Sequence, residues 1–175
     1  MERSSPQAIY SLLQQWGIPY DSMEHPEAGT MEDCKAIGRQ LGASFCKNLF
    51  LANRQQTEFF LLLIGEDKKF RTAEVSKKIG RSRLSFGNEE KLYQLLGVRP
   101  GSISPLGLVF DEGHEVHLLI DEDVAKLPRF CVHPCRNTES LVLSTQDFLQ
   151  VFLKKTGHTP QFLTITGEVP EEGTK

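Results

Sequence analysis

Apolar positions at helical spacing alternate with short apolar runs along the whole chain. Ile9, Leu12 and Trp16 recur three or four positions apart, which predicts a first helix that begins after Ser5 and ends at Gly17. Its first residue is a proline, and the missing amide hydrogen of proline is tolerated at the start of a helix. Further helices are predicted at 30–42, 72–79, 88–97 and 144–156, with Thr30, Asn88 and Ser144 as capping residues.

Continuous apolar runs predict strands that are buried on both faces. Leu49–Ala52 and Phe59–Ile64 are separated by a polar turn and are predicted to form a hairpin. A second hairpin is predicted from Leu106–Phe110 and Val116–Ile120. Other short strands are predicted at 19–25, 84–86, 129–133 and 140–143. This alternation predicts a single α/β domain with a mixed, mostly antiparallel sheet flanked by helices.

Composition and charge narrow the class of protein. The 175 residues suit one domain, and a net charge of −3 means that any RNA-binding residues have to cluster on one face. The N-terminal residues lack the apolar stretch of a signal peptide, and no run approaches the ~18 apolar residues of a membrane helix. The four cysteines show no C-x-x-C spacing and are taken as reduced. We therefore expect a cytoplasmic protein without membrane contact, with a domain at 1–167 and a polar, disordered tail at 168–175.

The segment Gly101–Pro105 is the most unusual stretch of the chain. It reads Gly-Ser-Ile-Ser-Pro and follows Arg99 and Pro100, so that its backbone amides cannot all enter a strand ladder. Such amides can receive a carbonyl oxygen, a carboxylate or a ribose hydroxyl. The alternative is an ordinary connecting turn. The pattern differs from the G-x-S-x-G elbow of serine hydrolases.

Lys47 lies at the entrance of an apolar strand, beside Asn48. A lysine at such a position often extends into solvent. It can instead point into a cavity, where its ammonium would bind phosphate or a carbonyl oxygen. The sequence leaves both interpretations open.

Cys131, His133 and Cys135 alternate, so a continuous strand would place them on one face, as in the start of a metal site. A fourth ligand at typical spacing is missing and Pro134 interrupts the strand, so we expect no metal. We also expect no serine–histidine or cysteine–histidine pair to act as nucleophile and base. His25 and His158 are expected to be structural residues without specific partners.

The densest basic segment contains Lys68, Lys69, Arg71, Lys77, Lys78, Arg81 and Arg83. Its two interpretations are a solvated helix face and a binding surface for an RNA backbone. Phe70 and Phe86 flank this segment and are expected to be core residues.

Several landmarks together resemble the YbaK family of aminoacyl-tRNA editing domains, which is related to the editing insertion of bacterial prolyl-tRNA synthetases. The resemblance covers about residues 6–166 and is most specific at Lys47–Leu51 and Gly101–Gly107. The other landmarks are His25–Pro26, Leu84–Phe86, Leu96–Val98, His133–Pro134, Asn137–Thr138 and Thr156–His158. Within the family, the chain is most similar to the alanyl-tRNA(Pro) deacylases.

The resemblance implies roles for individual residues. Lys47 would hold the terminal adenosine or its phosphate, and the loop with Gly101 and Ser102 would position the ester; these three are the implied catalytic residues. The implied substrate-binding residues are Asn48, Ile103, Ser104, Pro105, His133, Asn137 and Thr138, with His133 and Asn137 shaping the amino-acid end.

The reaction that the resemblance implies is hydrolysis of alanine from mischarged proline tRNA, without a cofactor. A synthetase built for proline discriminates weakly against smaller alanine, because lost methylene contacts are worth only ~1–3 kcal/mol. A second pocket too small for proline would correct the error. The implied partners are the acceptor end of proline tRNA and, transiently, prolyl-tRNA synthetase.

One departure from the family pattern affects the choice of amino acid. Relatives have a bulky apolar pair after the His-Pro landmark, whereas this chain has Glu27–Thr30 there. Cysteine or serine is therefore an alternative to alanine. A domain that binds tRNA or a synthetase without catalysis is a further alternative, and a metal-binding module built on Cys131, His133 and Cys135 is a third.

Overall fold

One sheet of eight strands runs through the computed structural model, which describes residues 5–28 and 30–168. The strands are β1 Asp21–Glu24, β2 Ser44–Ala52, β3 Phe59–Gly65, β4 Ser85–Phe86, β5 Val116–Asp121, β6 Arg129–Val132, β7 Glu139–Ser144 and β8 Gln161–Leu163. Their order is β1-β7-β6-β2-β3-β5-β8, and β4 pairs with the end of β2. Within this described sheet, the pairs β2–β6, β3–β5 and β5–β8 are parallel. The other four pairs are antiparallel, which confirms the predicted mixed, mostly antiparallel sheet.

Helices cover the sheet and begin where the sequence supplies capping groups. They are α1 Pro6–Gln15, α2 Met31–Leu41, α3 Thr72–Lys78, α4 Glu89–Leu96, a 3-10 helix Pro105–Phe110, α5 Glu122–Ala125, α6 Thr145–Asp147, a π-helical segment Phe148–Phe152 and α7 Leu153–Thr156. The side chains of Thr30, Asn88 and Ser144 accept hydrogen bonds from amides of the following turn, as predicted. Ser5 occupies the N-cap position of α1, but its side chain makes no capping hydrogen bond.

The core lies on both faces of the central strands. Along β3 every residue from Phe59 to Ile64 is buried, because alternate side chains enter two different clusters. Leu61 and Leu63 pack with α1, α4 and the 3-10 helix, whereas Phe60 and Leu62 pack beneath α3. A strand covered on both faces reads as a continuous apolar run, which explains why the hairpin of β2 and β3 was predictable.

The edge of β2 that faces β6 and β4 is only partly occupied. β6 pairs with β2 at Ser44 and Phe45, and β4 pairs with it at Leu51 and Ala52. In the described part of the chain, no strand pairs with residues 46–49 on that side. The gap between these two pairings leaves a cleft against the middle of β2.

The predicted second hairpin is wrong. Leu106–Phe110 forms a 3-10 helix instead of a strand, and β5 pairs in parallel with β3. The helix begins because the Ser104 Oγ accepts from the Leu106 amide at 3.2 Å and Pro105 occupies its first position. A β-carbon on Gly107 would lie 2.4 Å from the carbonyl oxygen of Leu96, so this turn packs too closely for any other residue. A short apolar run cannot by itself distinguish a buried strand from a buried helix.

Several predicted boundaries also shift. β1 begins at Asp21, two residues later than expected, and β6 ends at Val132, before His133. β8 was not predicted from the sequence. Of the predicted tail at 168–175, only Glu168 belongs to the described residues, so that expectation lies outside them. No helix within the described ranges is long and apolar enough to cross a membrane.

Candidate active site

The cleft beside β2 opens into a cavity of about 210 Å³. Its walls come from four parts of the chain: the segment that leads into α2, the middle of β2, the loop after α4, and the residue that follows β6. The lining residues are Ala28, Thr30, Met31, Cys34, Phe45, Cys46, Lys47, Asn48, Leu49, Gly101, Ile103 and His133. Five of the ten predicted site residues, Lys47, Asn48, Gly101, Ile103 and His133, therefore converge on one cavity.

Lys47 is half-buried and points along the cavity wall instead of into open solvent. Its Nζ donates a hydrogen bond to the backbone carbonyl of Lys68. The Lys68 side chain is itself fixed, because its Nζ lies 3.0 Å from Asp121, 2.7 Å from Asp123 and 2.6 Å from the Ile165 carbonyl. Although burial acts to lower the pKa of Lys68, its hydrogen bonds to Asp123 and Asp121 outweigh it and raise the pKa. The carbonyl that orients Lys47 is thus held by an ion-pair network.

Asn48 joins β2 to the loop after α4. Its Nδ2 donates to the Ile103 carbonyl at 3.2 Å, and its Oδ1 accepts from the Cys46 thiol at 3.5 Å. Because successive residues of a strand point to opposite faces, Asn48 and Lys47 leave β2 in opposite directions. Asn48 therefore fixes the loop against the open edge of β2.

The loop at Gly101–Pro105 reaches the cavity through Gly101 and Ile103, whereas Ser102, predicted as catalytic, is not among the lining residues. Gly101 has a φ of +86°, a conformation that glycine adopts at little cost. The amide of Ser102 donates to the Arg99 carbonyl at 3.0 Å. In the part of the chain that the structure describes, the amides of Gly101 and Ile103 have no acceptor. Ser104 and Pro105 are buried at the start of the 3-10 helix, so the prediction that they contact substrate is not supported by their position.

His133 is buried in the inner wall of the cavity. Its Nδ1 lies 3.0 Å from the Glu139 carbonyl and 3.3 Å from the Ser140 hydroxyl, and that hydroxyl is 2.7 Å from His25 Nε2. Because a carbonyl only accepts, we assign the proton to Nδ1, which leaves the Nε2 lone pair towards the Cys34 thiol at 3.8 Å. Burial lowers the pKa of His133 more than the hydrogen bond to the Glu139 carbonyl raises it, and the neighbouring His25 adds a smaller lowering. The imidazole is therefore neutral at physiological pH.

Cys34 of α2 lies next to His133 and forms a cysteine–histidine contact that the sequence did not reveal. The two residues are 99 positions apart, which is why spacing gave no signal. Burial raises the pKa of the Cys34 thiol, and the nearby carboxylates of Asp33 and Glu66 raise it further. A protonated thiol facing a neutral imidazole lacks the thiolate that nucleophilic catalysis requires.

Asn137 and Thr138 hold the rim of the cavity through their backbone. The Asn137 carbonyl accepts from the Ala28 amide at 2.9 Å, and the Thr138 carbonyl accepts from the His25 amide at 2.9 Å. The Asn137 Nδ2 lies 3.4 Å from Glu27. Neither residue lines the cavity, although both position the segment that does. Met31 and Cys34, which do line it, were not identified from the sequence. Ala28 also lines it and belongs to the Glu27–Thr30 departure from the family pattern, of which Gly29 lies outside the described residues.

A comparison with known proteins decides the family. A family model described as an aminoacyl-tRNA editing domain matches residues 25–151, which is more than half of the chain. The protein belongs to the aminoacyl-tRNA editing domain family. The resemblance inferred from the sequence landmarks, and with it the prediction of a hydrolase that edits aminoacyl-tRNA, is thereby confirmed.

Individual relatives of this editing domain carry more specific names. The prolyl-tRNA editing protein ProX of Acetoanaerobium sticklandii is 31% identical over 91% of this chain and 96% of its own. The prolyl-tRNA synthetase associated domain-containing protein 1 of Xenopus laevis is 31% identical over 88% of this chain and 93% of its own. A crystal structure of a candidate trans-editing enzyme for prolyl tRNA synthetase has a TM-score of 0.67 at 17% identity and covers 92% of this chain and 97% of its own. That similarity shows the fold.

Cys131 and Cys135 of the editing domain do not form a metal site with His133. β6 ends before His133, and Cys135 has a φ of +65°, so the alternation does not place the three residues on one face. Cys131 packs with Cys34 in one cluster, whereas Cys135 enters the main core. Among the described residues, no group of three or more His, Cys, Asp or Glu side chains is arranged to hold a metal ion.

The two histidines expected to lack partners both have them. His25 bonds to Ser140, as described above. His158 Nε2 lies 2.9 Å from the buried carboxylate of Asp111, and its Nδ1 lies 2.9 Å from the Thr156 hydroxyl. Burial acts to raise the pKa of Asp111, but the hydrogen bond from His158 and those from the Val116 and Glu115 amides lower it overall. This pair fastens the loop before β5 to the end of α7, away from the editing cavity.

The basic segment of the editing domain is only partly available to a ligand. Lys68 is ion-paired, Arg81 Nε binds Glu58 at 2.8 Å, and Arg71 Nε lies 3.4 Å from the Gly167 carbonyl. Lys69, Lys77, Lys78 and Arg83 are exposed, as is the ion-paired Arg81. Phe70 was expected to be a core residue and is half-buried, packed against the cluster that contains Leu51. The prediction that Phe86 is a core residue is wrong, because Phe86 is 63% exposed.

Proposed function

We propose that this protein is a trans-editing hydrolase that removes alanine from mischarged proline tRNA and excludes proline by the size of its cavity. The observation that carries the proposal is the small cavity at the open edge of β2, with Lys47 on one side and the Gly101 loop on the other. Relatives named for prolyl-tRNA editing support the same class of substrate.

Lys47 and the loop would hold the two ends of the reacting group. The Lys47 ammonium, now bound to a neutral carbonyl, can exchange that partner for the phosphate or ribose of the terminal adenosine. The amides of Gly101 and Ile103 are the donors we expect to receive the oxyanion that develops when water attacks the ester. Asn48 keeps those amides at a fixed distance from Lys47 through its bond to Ile103.

The amino-acid side chain would enter between α2 and His133. The wall there consists of Ala28, Met31, Cys34 and Phe45, which offer apolar surface and no free charge. A methyl group fits such a site, whereas the ring of proline requires additional space. A pocket that rejects the larger residue sterically complements a synthetase that rejects the smaller one weakly.

We infer that water attacks with help from the substrate instead of from a protein base. Both ring nitrogens of His133 already have protein partners, and Cys34 is protonated. The free hydroxyl next to the ester on the terminal ribose lies within hydrogen-bond reach of an attacking water. It can orient that water or relay its proton while the protein supplies position and a fixed field.

The amino acid is identified by offering alanyl-, cysteinyl- and seryl-tRNA(Pro) to the pure protein and following ester loss. We expect the alanyl ester to be hydrolysed fastest. If the cysteinyl or seryl ester is hydrolysed faster than the alanyl ester, cysteine or serine is the amino acid that the protein removes. If all three tRNAs bind without ester loss, the protein is a non-catalytic binding domain.

A further inference from the structure

An exposed phenylalanine lies on β4, which pairs with β2, the strand that also lines the editing cavity. Phe86 is 63% exposed and is the most exposed large apolar side chain of the described residues. Its backbone pairs with Leu51 of β2, and Gln56 bonds to the Phe86 carbonyl at 3.2 Å and to the Asn88 amide at 3.0 Å. A β-carbon on Gly87 would lie 2.3 Å from the Phe50 ring, so the strand is pressed against the core. An aromatic ring fixed in solvent is typical of a binding surface.

The ring of Phe86 is supported from behind by Phe70. Their centroids are 5.9 Å apart with an interplanar angle of 56°. Phe70 is half-buried and packs against the cluster that contains Leu49 and Leu51. Phe86 therefore keeps a fixed orientation without a ligand and loses little side-chain freedom when a flat group stacks on it.

The position of Phe86 relative to Lys47 follows from the register of β2. Phe86 lies opposite Leu51 in an antiparallel pair, and opposite residues point to the same face. Lys47, Leu49 and Leu51 alternate along β2 and share that face. Four residues of strand span roughly 13 Å. Phe86 is thus within reach of the unpaired nucleotides that precede a terminal adenosine bound at Lys47.

The exposed cations close in sequence to Phe86 and Phe70 suit an RNA backbone. Lys69 directly precedes Phe70, and Arg83 lies three residues before Phe86; both are exposed. The acids nearest in sequence, Glu89 and Glu90, lie in the first turn of α4 on the other side of Gly87, so we expect phosphates on the Arg83 side. Isolated aromatic rings between cations are typical of single-stranded nucleic-acid binding, whereas protein interfaces have larger continuous apolar patches.

We propose that Phe86, backed by Phe70, is a stacking platform for a nucleobase in the single-stranded 3′ end of an RNA substrate. The direction of the strand, with its terminal adenosine at Lys47, rests on the proposed function. Stacking accepts any base, so the platform adds affinity and register without adding sequence preference.

The test compares Phe86→Ala with Phe86→Trp and with the matched control Phe162→Ala. Phe162 is another exposed phenylalanine, in β8 at the far edge of the sheet. Binding of uncharged proline tRNA is measured for each variant, with the same tRNA lacking its unpaired 3′ nucleotides as the second ligand. We expect Phe86→Ala to weaken binding of the intact tRNA by roughly 5- to 150-fold, Phe86→Trp to restore it, and Phe162→Ala to change nothing.

The truncated tRNA should bind equally to the wild type and to Phe86→Ala. The platform would be overturned if Phe86→Ala weakened binding of both tRNAs equally. It would also be overturned if Phe86→Ala left binding of the intact tRNA unchanged, as expected if Phe86 contacts a synthetase instead. Because this readout needs no ester hydrolysis, it can succeed while the proposed deacylation fails. Single-turnover deacylation of alanyl-tRNA(Pro) tests the proposed deacylation separately. In that assay, Phe86→Ala should lower the deacylation rate more on alanyl-tRNA(Pro) than on 3′-alanyl-adenosine, which has no preceding nucleotides.

Discussion

Replacing Lys47 by alanine removes the one cavity-lining ammonium in the described part of the chain and tests whether it binds substrate. A hydrogen bond to a charged group contributes about 1.5–3 kcal/mol. If the ammonium exchanges its Lys68 carbonyl for an oxygen of the substrate, its loss should lower kcat/KM for alanyl-tRNA(Pro) by roughly 10- to 150-fold. The fold should survive, because Asp121, Asp123 and the Ile165 carbonyl still fix Lys68.

The assay is single-turnover ester loss, run beside thermal unfolding. We expect the melting temperature of Lys47→Ala to fall by less than about 4 °C, the shift that ~1 kcal/mol produces in a chain of this size. Lys77→Ala is the matched control, because it removes the same charge from an exposed position on α3. Full activity in Lys47→Ala would refute the reasoning. An equal loss in Lys77→Ala would assign the effect to overall attraction of RNA, and a loss that tracks unfolding would make Lys47 structural.

The remaining predictions concern the loop, the proton transfer and the buried ion pair. Gly101→Val should abolish deacylation because a β-branched residue resists a positive φ. Ser102→Ala should retain deacylation, and Ser104→Ala should retain it while losing about 0.5–2 kcal/mol of folding stability with the helix cap. An inactive Ser102→Ala would point to a serine nucleophile. Alanyl-tRNA(Pro) without the hydroxyl next to the ester on its terminal ribose should bind normally but be hydrolysed orders of magnitude more slowly. The deacylation rate of His133→Ala on the intact substrate should fall much less. Normal hydrolysis of the deoxy substrate together with an inactive His133→Ala would make histidine the base. Because the folded pKa of Asp111 is depressed, its contribution to stability is present above its unfolded pKa of about 4 and is lost as the pH falls further through the folded pKa. Asp111→Asn should therefore flatten that part of the acid unfolding curve, and an unchanged curve would contradict the assignment.

The helices and strands that were predicted correctly are those whose sequence signal lies within the element itself. The two buried runs of the β2–β3 hairpin are long and apolar, and Thr30, Asn88 and Ser144 cap their helices within one turn. Residues 106–110 failed because their apolar run fits a strand, while the decisive contacts are the Ser104 cap and the approach of Gly107 to Leu96. The latter depends on packing that the local pattern does not contain.

The candidate site was predictable where one segment carries its own chemistry. Lys47, Asn48 and the Gly101 loop have unusual local sequence, and all reach the cavity. Cys34 and Met31 belong to an ordinary amphipathic helix and become site residues only because α2 packs beside His133. The exposure of Phe86 likewise depends on how β4 is placed on β2, since its local sequence resembles a core strand.

The most direct test of the central claim is the rate of ester loss from alanyl-tRNA(Pro) compared with prolyl-tRNA(Pro), measured in single turnover with the pure protein. The account predicts rapid hydrolysis of the alanyl ester and loss of the prolyl ester at its spontaneous rate, because the proposed function has the wall formed by Met31, Cys34 and Phe45 exclude the larger ring. Equal enzymatic rates on the two esters would contradict exclusion by size, and spontaneous rates on both would contradict catalysis.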